Sequence, residues 1–175
     1  MNLFRILILS AMVVSGTVHS EVLDKSAGGF VIEIKGEVEQ SVEESYQQFL
    51  RVSEWWDGDH SWFGSANNFY IEPRVGGCFC EIEGDKQAHH MMVSFIEPNK
   101  EVRMLGGLGP LQMMGVNGAM SWQFDEAGDG LTLITHRYTV TGYHKDGLDK
   151  LAPIVDQVQS GQVQRLIDRL GDANE

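Results

Sequence analysis

The chain has 175 residues, enough for one domain that buries roughly two thirds of its unfolded surface in a single core. Hydrophobic residues at 42%, charged residues at 22% and only 4 Pro argue against disorder, and 20 Gly without a triplet period exclude a collagen-like chain. Lys+Arg 13 against Asp+Glu 25 gives a net charge of −12, a field that repels phosphate backbones and disfavours nucleic acid or a polyanionic membrane surface as partner.

Met1 to Ser20 reads as a secretory signal peptide. Arg5 supplies the positive start, Ile6 to Val14 the apolar run, and Val18 and Ser20 the small positions before a cut ahead of Glu21. The run is too short to span about 30 Å of hydrocarbon, and no other segment could do so. The expectation is therefore an exported protein, periplasmic or secreted, with residues 21–175 forming one domain. Outside the cytoplasm there is no ATP supply, which disfavours nucleotide-driven chemistry.

The first expected strand is Phe30 to Val38, where Phe30, Ile32, Ile34 and Val38 alternate with Glu33, Lys35 and Glu37. Ser41 with Glu44 three residues on forms a capping box, and Val42, Tyr46, Phe49 and Leu50 follow at helical spacing. Trp55 to Asn68 has neither period and reads as a second short helix or an ordered aromatic loop. Strand-like runs then cover Phe69–Ile71, Cys78–Ile82, Ala88–Ile96, Val102–Leu105 and Met120–Phe124, separated by turn residues. Gly128-Asp129-Gly130 turns the chain into a last strand, Leu131 to Tyr143. Leu151, Ile154, Val155, Val158, Val163, Leu166, Ile167 and Leu170 trace the stripe of a long helix that ends near Gly171, with Pro153 in its first turn.

Cys78 and Cys80 stand two apart in one of these strands. An extended backbone holds such Cα atoms about 6.5–7 Å apart, at or beyond the limit for a bridge, so two small buried hydrophobes is the preferred reading and a disulfide the alternative. His89 and His90 are adjacent on a strand and point to opposite faces, and Asp57, Asp59 and His60 lack the glycine and glutamate of a calcium loop. No metal site is expected, and no cofactor motif is present.

Glu72-Pro73-Arg74-Val75-Gly76-Gly77-Cys78-Phe79 resembles the E-P-R-x-G-G-x-F signature of the polyketide cyclase and heat-shock-ATPase-activator homologues of the START/birch-pollen-allergen superfamily, also called SRPBCC. Leu133-Ile134-Thr135-His136 is similar to their last strand. Trp55-Trp56, Gly76 to Glu81 and Leu108-Gly109-Pro110-Leu111 look like an uncharacterised exported bacterial branch. The resemblance spans about Phe30 to Leu170 and implies an α+β helix-grip fold: a curved seven-stranded antiparallel sheet wrapped around the C-terminal helix, with two short helices after strand 1. It does not imply one activity, because this fold carries lipid carriers, cyclases and co-chaperones alike.

A curved sheet gripping one helix does not close its concave face, and the space is filled by side chains or left for a ligand. The candidate ligand-facing residues are Trp55, Trp56, Trp62 and Phe63 from the aromatic segment, Met92, Met104, Trp122, His136 and Tyr138 from the sheet, and Ile154 and Val158 from the helix. Leu111, Met113 and Met114 join them from the glycine-rich stretch Gly106 to Gly118, whose hinge freedom and deformable apolar side chains suit a lid; a hairpin connection tucked on the core is the alternative. For any one of these residues ordinary core packing is the commoner outcome. Glu72, Arg74 and the Gly76-Gly77 pair read as a structural bend. Binding of a small hydrophobic, lipid- or polyketide-like ligand is the preferred function. The alternatives are a cyclase- or dehydrase-type enzyme with His136 as acid or base and Tyr138 beside it, and a protein-interaction module like the heat-shock-ATPase activators, which export from the cytoplasm would disfavour.

Overall fold

A computed structural model describes residues 16–172. Residues 1–15 of the leader expected over Met1 to Ser20 lie outside them. Eight strands form one sheet: β1 (His19–Ser26), β2 (Gly29–Val38), β3 (Phe69–Ile71), β4 (Cys78–Glu83), β5 (Lys86–Glu97), β6 (Glu101–Leu105), β7 (Asn117–Gly128) and β8 (Leu131–Thr141). They are antiparallel throughout, in the order β1-β2-β8-β7-β6-β5-β4-β3. Helix α1 (Val42–Leu50) follows β2, and α2 (Ala152–Asp172) closes the chain. This is the helix-grip α+β fold, a curved sheet on one long helix.

The sheet has one strand more than the seven expected, and the addition is β1. Its burial is irregular, with only Ser20 and Val22 half-buried, so it carries no clean alternation to recognise. The expected cut before Glu21 falls inside this strand. Upstream of that point Gln164 on α2 bonds both the Val18 N–H, at 3.2 Å, and the Gly16 carbonyl, at 2.9 Å, while the Ser20 hydroxyl donates to Asp156 at 3.3 Å.

The capping box forms as read, with the Glu44 N–H on Ser41 Oγ and the Ser41 N–H on the Glu44 carboxylate, each at 3.2 Å. The second short helix expected in the aromatic segment is replaced by three single 3₁₀ turns, Val52–Glu54, Gly58–His60 and Ala66–Asn68. Asp57 and Ser65 cap the last two through side-chain oxygens. Such Asx- and Ser-type caps favour a turn over a continuing helix.

Cys78 and Cys80 form a disulfide with Cα atoms 5.4 Å apart, overturning the preferred reading of two free, buried thiols. The cause is local: the β4–β5 register slips between Phe79 and Cys80, so that Phe79 faces Met91, Cys80 faces His89, and His90 has no opposite number. A bulge of this kind bends the strands and removes the extended spacing that argued against a bridge. The same slip reverses the alternation of β5. His90 and Met91 are both buried, Val93 follows inward, and Met92, expected to face the interior, points outward at 39% exposure.

The E-P-R-x-G-G segment is a bend, as read. The Gly77 N–H donates to the Arg74 carbonyl at 2.8 Å, Gly76 and Gly77 bond Val93 of β5, and a side chain at Gly77 would run into the Glu72 carbonyl.

The core beneath α2 is an aromatic layer. Phe49 lies 5.0 Å from Trp122 and 5.6 Å from Phe124, and Trp55 lies 5.8 Å from Trp122. Trp122 is 2% exposed. Trp122→Ala should lower the unfolding free energy by about 3–5 kcal/mol, measured by denaturant titration, because a large aromatic is lost from a layer that cannot collapse to refill it. A variant as stable as the parent would contradict this packing.

Candidate functional site

A cavity of about 350 Å³ opens between α2, the glycine-rich stretch and the β3–β5 end of the sheet. Leu151, just before α2, and Ile154, Val155, Val158 and Gln159 of α2 form one wall, and Leu108, Gly109, Pro110, Leu111 and Met114 form the roof. Trp56, Trp62, Phe69, His90 and Tyr138 complete it, with Asp59, His60 and Ser61 near the aromatic segment.

The roof is formed by the Gly106 to Gly118 stretch, called the lid below. It contains one 3₁₀ turn, Gly109–Gln112, started by Pro110. Its root is fastened by Tyr138, whose hydroxyl accepts from the Leu108 N–H at 3.1 Å and donates to the Gly106 carbonyl at 3.2 Å. Room for that ring comes from Gly118, where any Cβ would strike the Tyr138 ring and hydroxyl and the Gly106 carbonyl. Burial pushes the Tyr138 phenol up to about 12, so it acts as a neutral hydrogen-bonding group. Gln112 ties the outer part of the lid to β5 by donating to the His89 carbonyl at 2.5 Å.

On the opposite wall Glu81 of β4 is fully buried. Its carboxylate accepts from the Ser61 hydroxyl at 2.5 Å, the Phe63 N–H at 2.8 Å and the Trp62 N–H at 3.1 Å, and meets His90 Nε2 at 3.2 Å. Burial alone would raise its pKa. The hydrogen bonds from Ser61, Phe63, Trp62 and His90 outweigh it, and the group lies below the ordinary carboxylate value. His90 moves down as well, because burial disfavours its charged form more than Glu81 supports it. Its ring lies 5.3 Å from Phe69, 5.7 Å from Phe79 and 5.1 Å from Trp62.

Of the residues expected to face a ligand, Trp56, Trp62, Leu111, Met114, Tyr138, Ile154 and Val158 line the cavity. Trp55, Met104 and Trp122 lie beneath it in the aromatic layer, around a gap of only about 10 Å³. Phe63 sits to the side under the Lys86 ammonium, 5.8 Å from its ring centre, and Met113 is 88% exposed on the outer side of the lid. Met92 is on the other face of the sheet for the reason given above. His136 is absent from the cavity wall: it is wholly buried against Trp122, with ring centres 4.2 Å apart. Burial drives its pKa down to about 3, opposed only weakly by the Ser121 backbone and the Gln159 side chain, neither of which makes a well-formed hydrogen bond to the ring.

Glu81 and His90 were the residues the sequence reading passed over as a pair. Glu81 pairs across the ladder with Ala88, and His90, two residues on from Ala88, is buried on the same face, where its imidazole meets the carboxylate. Among the described residues no group of three or more His, Cys, Asp or Glu is placed to hold a metal ion.

No protein-family model and no curated protein matches the sequence. Solved structures do match in fold. A Rhodobacter sphaeroides protein is 14% identical, with 90% of this chain aligned to 100% of that one at a TM-score of 0.59. The Mll3558 protein of Rhizobium loti is 16% identical over 87% of this chain and 98% of its own, at 0.57. DynU16, a protein of the dynemicin biosynthetic locus, is 16% identical over 80% of this chain and 46% of its own longer one, at 0.57. The chain has the helix-grip fold. At these identities the likeness is one of fold alone, and it assigns neither a family nor an activity.

The buried histidines set a pH dependence. Each has a folded pKa below the ordinary 6.5, so below pH 6.5 the unfolded chain takes up protons that the folded protein refuses. Stability should therefore fall with decreasing pH from about 6.5, and for His136 the loss continues to about pH 3, where the folded form also protonates. Each fully refused proton contributes a slope of about 1.4 kcal/mol per pH unit. Urea midpoints between pH 4.5 and 6.5 should show a shallower slope in His136→Phe than in the parent; equal slopes would mean that His136 is already charged or solvated in the folded state.

Proposed function

We propose that the protein binds a small, largely apolar molecule in the cavity between α2 and the lid. The supporting observation is the cavity itself: about 350 Å³ left open above an aromatic layer whose own gap is only about 10 Å³. That volume lies within the range usual for small-molecule sites, and an apolar wall with a few buried polar groups is their usual composition. Aliphatic side chains of α2, Leu108, Leu111 and Met114 of the lid, and the rings of Trp56 and Phe69 supply the apolar surface. The presence of DynU16 among the fold relatives is in keeping with a polyketide-like ligand. The acid–base alternative loses its expected centre with His136 packed beneath the cavity, so carriage or storage of the ligand is the reading adopted.

Protein purified under non-denaturing conditions should carry an apolar molecule, seen as a mass increment in native mass spectrometry and recovered by organic extraction. Val158→Trp, which fills the cavity from α2, should abolish the increment while leaving the circular dichroism spectrum unchanged. If the parent is empty and shows no thermal shift with any member of a hydrophobic ligand panel, the reading fails.

We propose also that the protein works outside the cytoplasm. The pattern of Met1 to Ser20 supports this, and so does the Cys78–Cys80 bridge, since disulfides persist mainly in oxidising compartments. Expressed with its own N-terminus in a Gram-negative host, the chain should be recovered from the periplasm without its leader and with no thiol titratable under denaturing conditions. Recovery of the intact, reduced chain from the cytosol would overturn the assignment.

A further inference from the structure

The wall of the cavity is uneven in charge. Among the described residues that line it there is one carboxylate, Asp59, and no lysine or arginine. The deeper polar side chains are engaged or shielded. The Ser61 hydroxyl donates to Glu81 and accepts from the Phe63 and Ser65 N–H groups at 3.1 Å and 3.0 Å. The Tyr138 hydroxyl is spent on the root of the lid, and His90 Nδ1, Trp56 Nε1 and Gln159 Oε1 have no accessible surface to offer. A charged head drawn into this interior would lose its hydration and gain no partner, so the head of an amphiphile belongs at the rim.

Asp59 stands at that rim, exposed to solvent, in the turn Gly58–His60. The turn is held by Asp57, whose carboxylate accepts from the Asp59 N–H at 3.0 Å and whose own N–H donates to Gln162 of α2 at 2.9 Å. These bonds use the backbone of Asp59, and its carboxylate has no partner among the described residues. Nor do its neighbours cancel it. His60 is the one other residue of this turn in the wall, and its Nδ1 lies 3.5 Å from the Asp57 carboxylate, so a protonated ring would be balanced by Asp57 and the charge of Asp59 would remain. Arg165 of α2 does not line the cavity; its guanidinium donates to the Trp55 carbonyl at 2.9 Å. The net charge of the chain, −12, has the same sign as the rim. A lone surface carboxylate is ordinarily only solvated. This one has a consequence because it edges an apolar cavity whose wall holds no lysine or arginine to receive an anion.

Resting on the reading of the cavity as an apolar binding site, we propose that Asp59 is its specificity-determining residue, and that the ligand is an amphiphile with a cationic head, such as a primary amine, which sits at the Asp59 rim while its apolar part fills the space between the lid and α2. A neutral head is held less tightly and a carboxylate is turned away, so a free fatty acid is not the cargo.

The test is calorimetric titration of the purified, delipidated protein, at neutral pH and low salt, with octylamine, 1-octanol and octanoate, which share a chain and differ in the charge of the head. Octylamine should bind roughly tenfold or more tightly than octanoate, with 1-octanol between them, because one carboxylate attracts the first head and repels the last. Raising the ionic strength should narrow the gap. Asp59→Asn should bring octylamine down to the affinity of 1-octanol and leave 1-octanol unchanged, and Asp59→Lys should place octanoate ahead of octylamine. The turn is held through the backbone of this residue, so both variants should fold as the parent does. Octanoate binding as tightly as octylamine in the parent would overturn the cation preference and leave the apolar cavity standing. A preference for octylamine that survives in both variants would overturn its assignment to Asp59. Binding of none of the three at millimolar concentration would overturn the cavity reading together with the preference.

Discussion

A carboxylate removed from water is among the most costly groups a protein can fold around, and Glu81 has no exposed surface. Its burial is possible because donors reach it from two directions. The Ser61–Phe63 segment provides a hydroxyl and two backbone N–H groups, and β5 provides His90. These bonds hold an otherwise irregular run of chain against the sheet, and they bring Trp62 to within 5.1 Å of the His90 ring. The wall of the cavity opposite α2 is built in this way from Ser61, Trp62, Phe69 and His90. Glu81 holds the Ser61–Phe63 part of the aromatic segment, while Gln162 and Arg165 of α2 hold its first part at Trp55, Asp57 and His60.

The register slip between Phe79 and Cys80 is the second half of the same arrangement. It turns His90 and Met91 inward together, which an unbroken strand cannot do with adjacent residues. Two features accompany this irregularity: the outward Met92 and the Cys78–Cys80 bridge. Neither was the preferred reading of the sequence, because a strand reading propagates strict alternation through a bulge and has no local residue, such as glycine, to mark where it breaks. β1 was missed for a different reason. His19 and Ser20 had already been assigned to the leader, and the remainder of the strand has too little apolar alternation to stand out.

Where alternation or helical spacing ran without interruption, the reading held to the level of single side chains. Phe30, Ile32 and Ile34 on β2, Trp122 and Phe124 on β7, and the capping box of α1 are placed as expected. Ile154 and Val158 reach the cavity because the face of a long helix is set by its period alone. For the sheet residues period was not enough. Met104, Trp122, His136 and Tyr138 all point to the concave side, yet only Tyr138 borders the cavity. Depth along the strand decides the difference. The first three lie under Phe49, Trp55 and Gln159, in a layer that large rings fill almost completely, whereas Tyr138 lies farther toward the Gly118 end of β7, where the lid begins. Sequence reveals which face a residue occupies; how far the filling side chains extend over it is a property of the assembled core.

That boundary also constrains how the cavity can open. The lid is fastened at its root by the Tyr138 hydroxyl, and opening there would break its bonds to both Gly106 and Leu108 and leave a buried phenol unpaired, a cost of about 1–3 kcal/mol for the group. The outer part is held differently. Met113 is almost fully exposed, Met114 meets the cavity with a flexible apolar chain, and Gln112 makes a single bond to the His89 carbonyl. Facing it across the cavity, Ile154 on the first turn of α2 is itself 58% exposed. Separating these side chains exposes a modest apolar area and sacrifices at most one hydrogen bond, whereas movement at the root strands a hydroxyl. The easier route for an apolar molecule therefore runs between the outer lid and the first turns of α2, directly into the cavity.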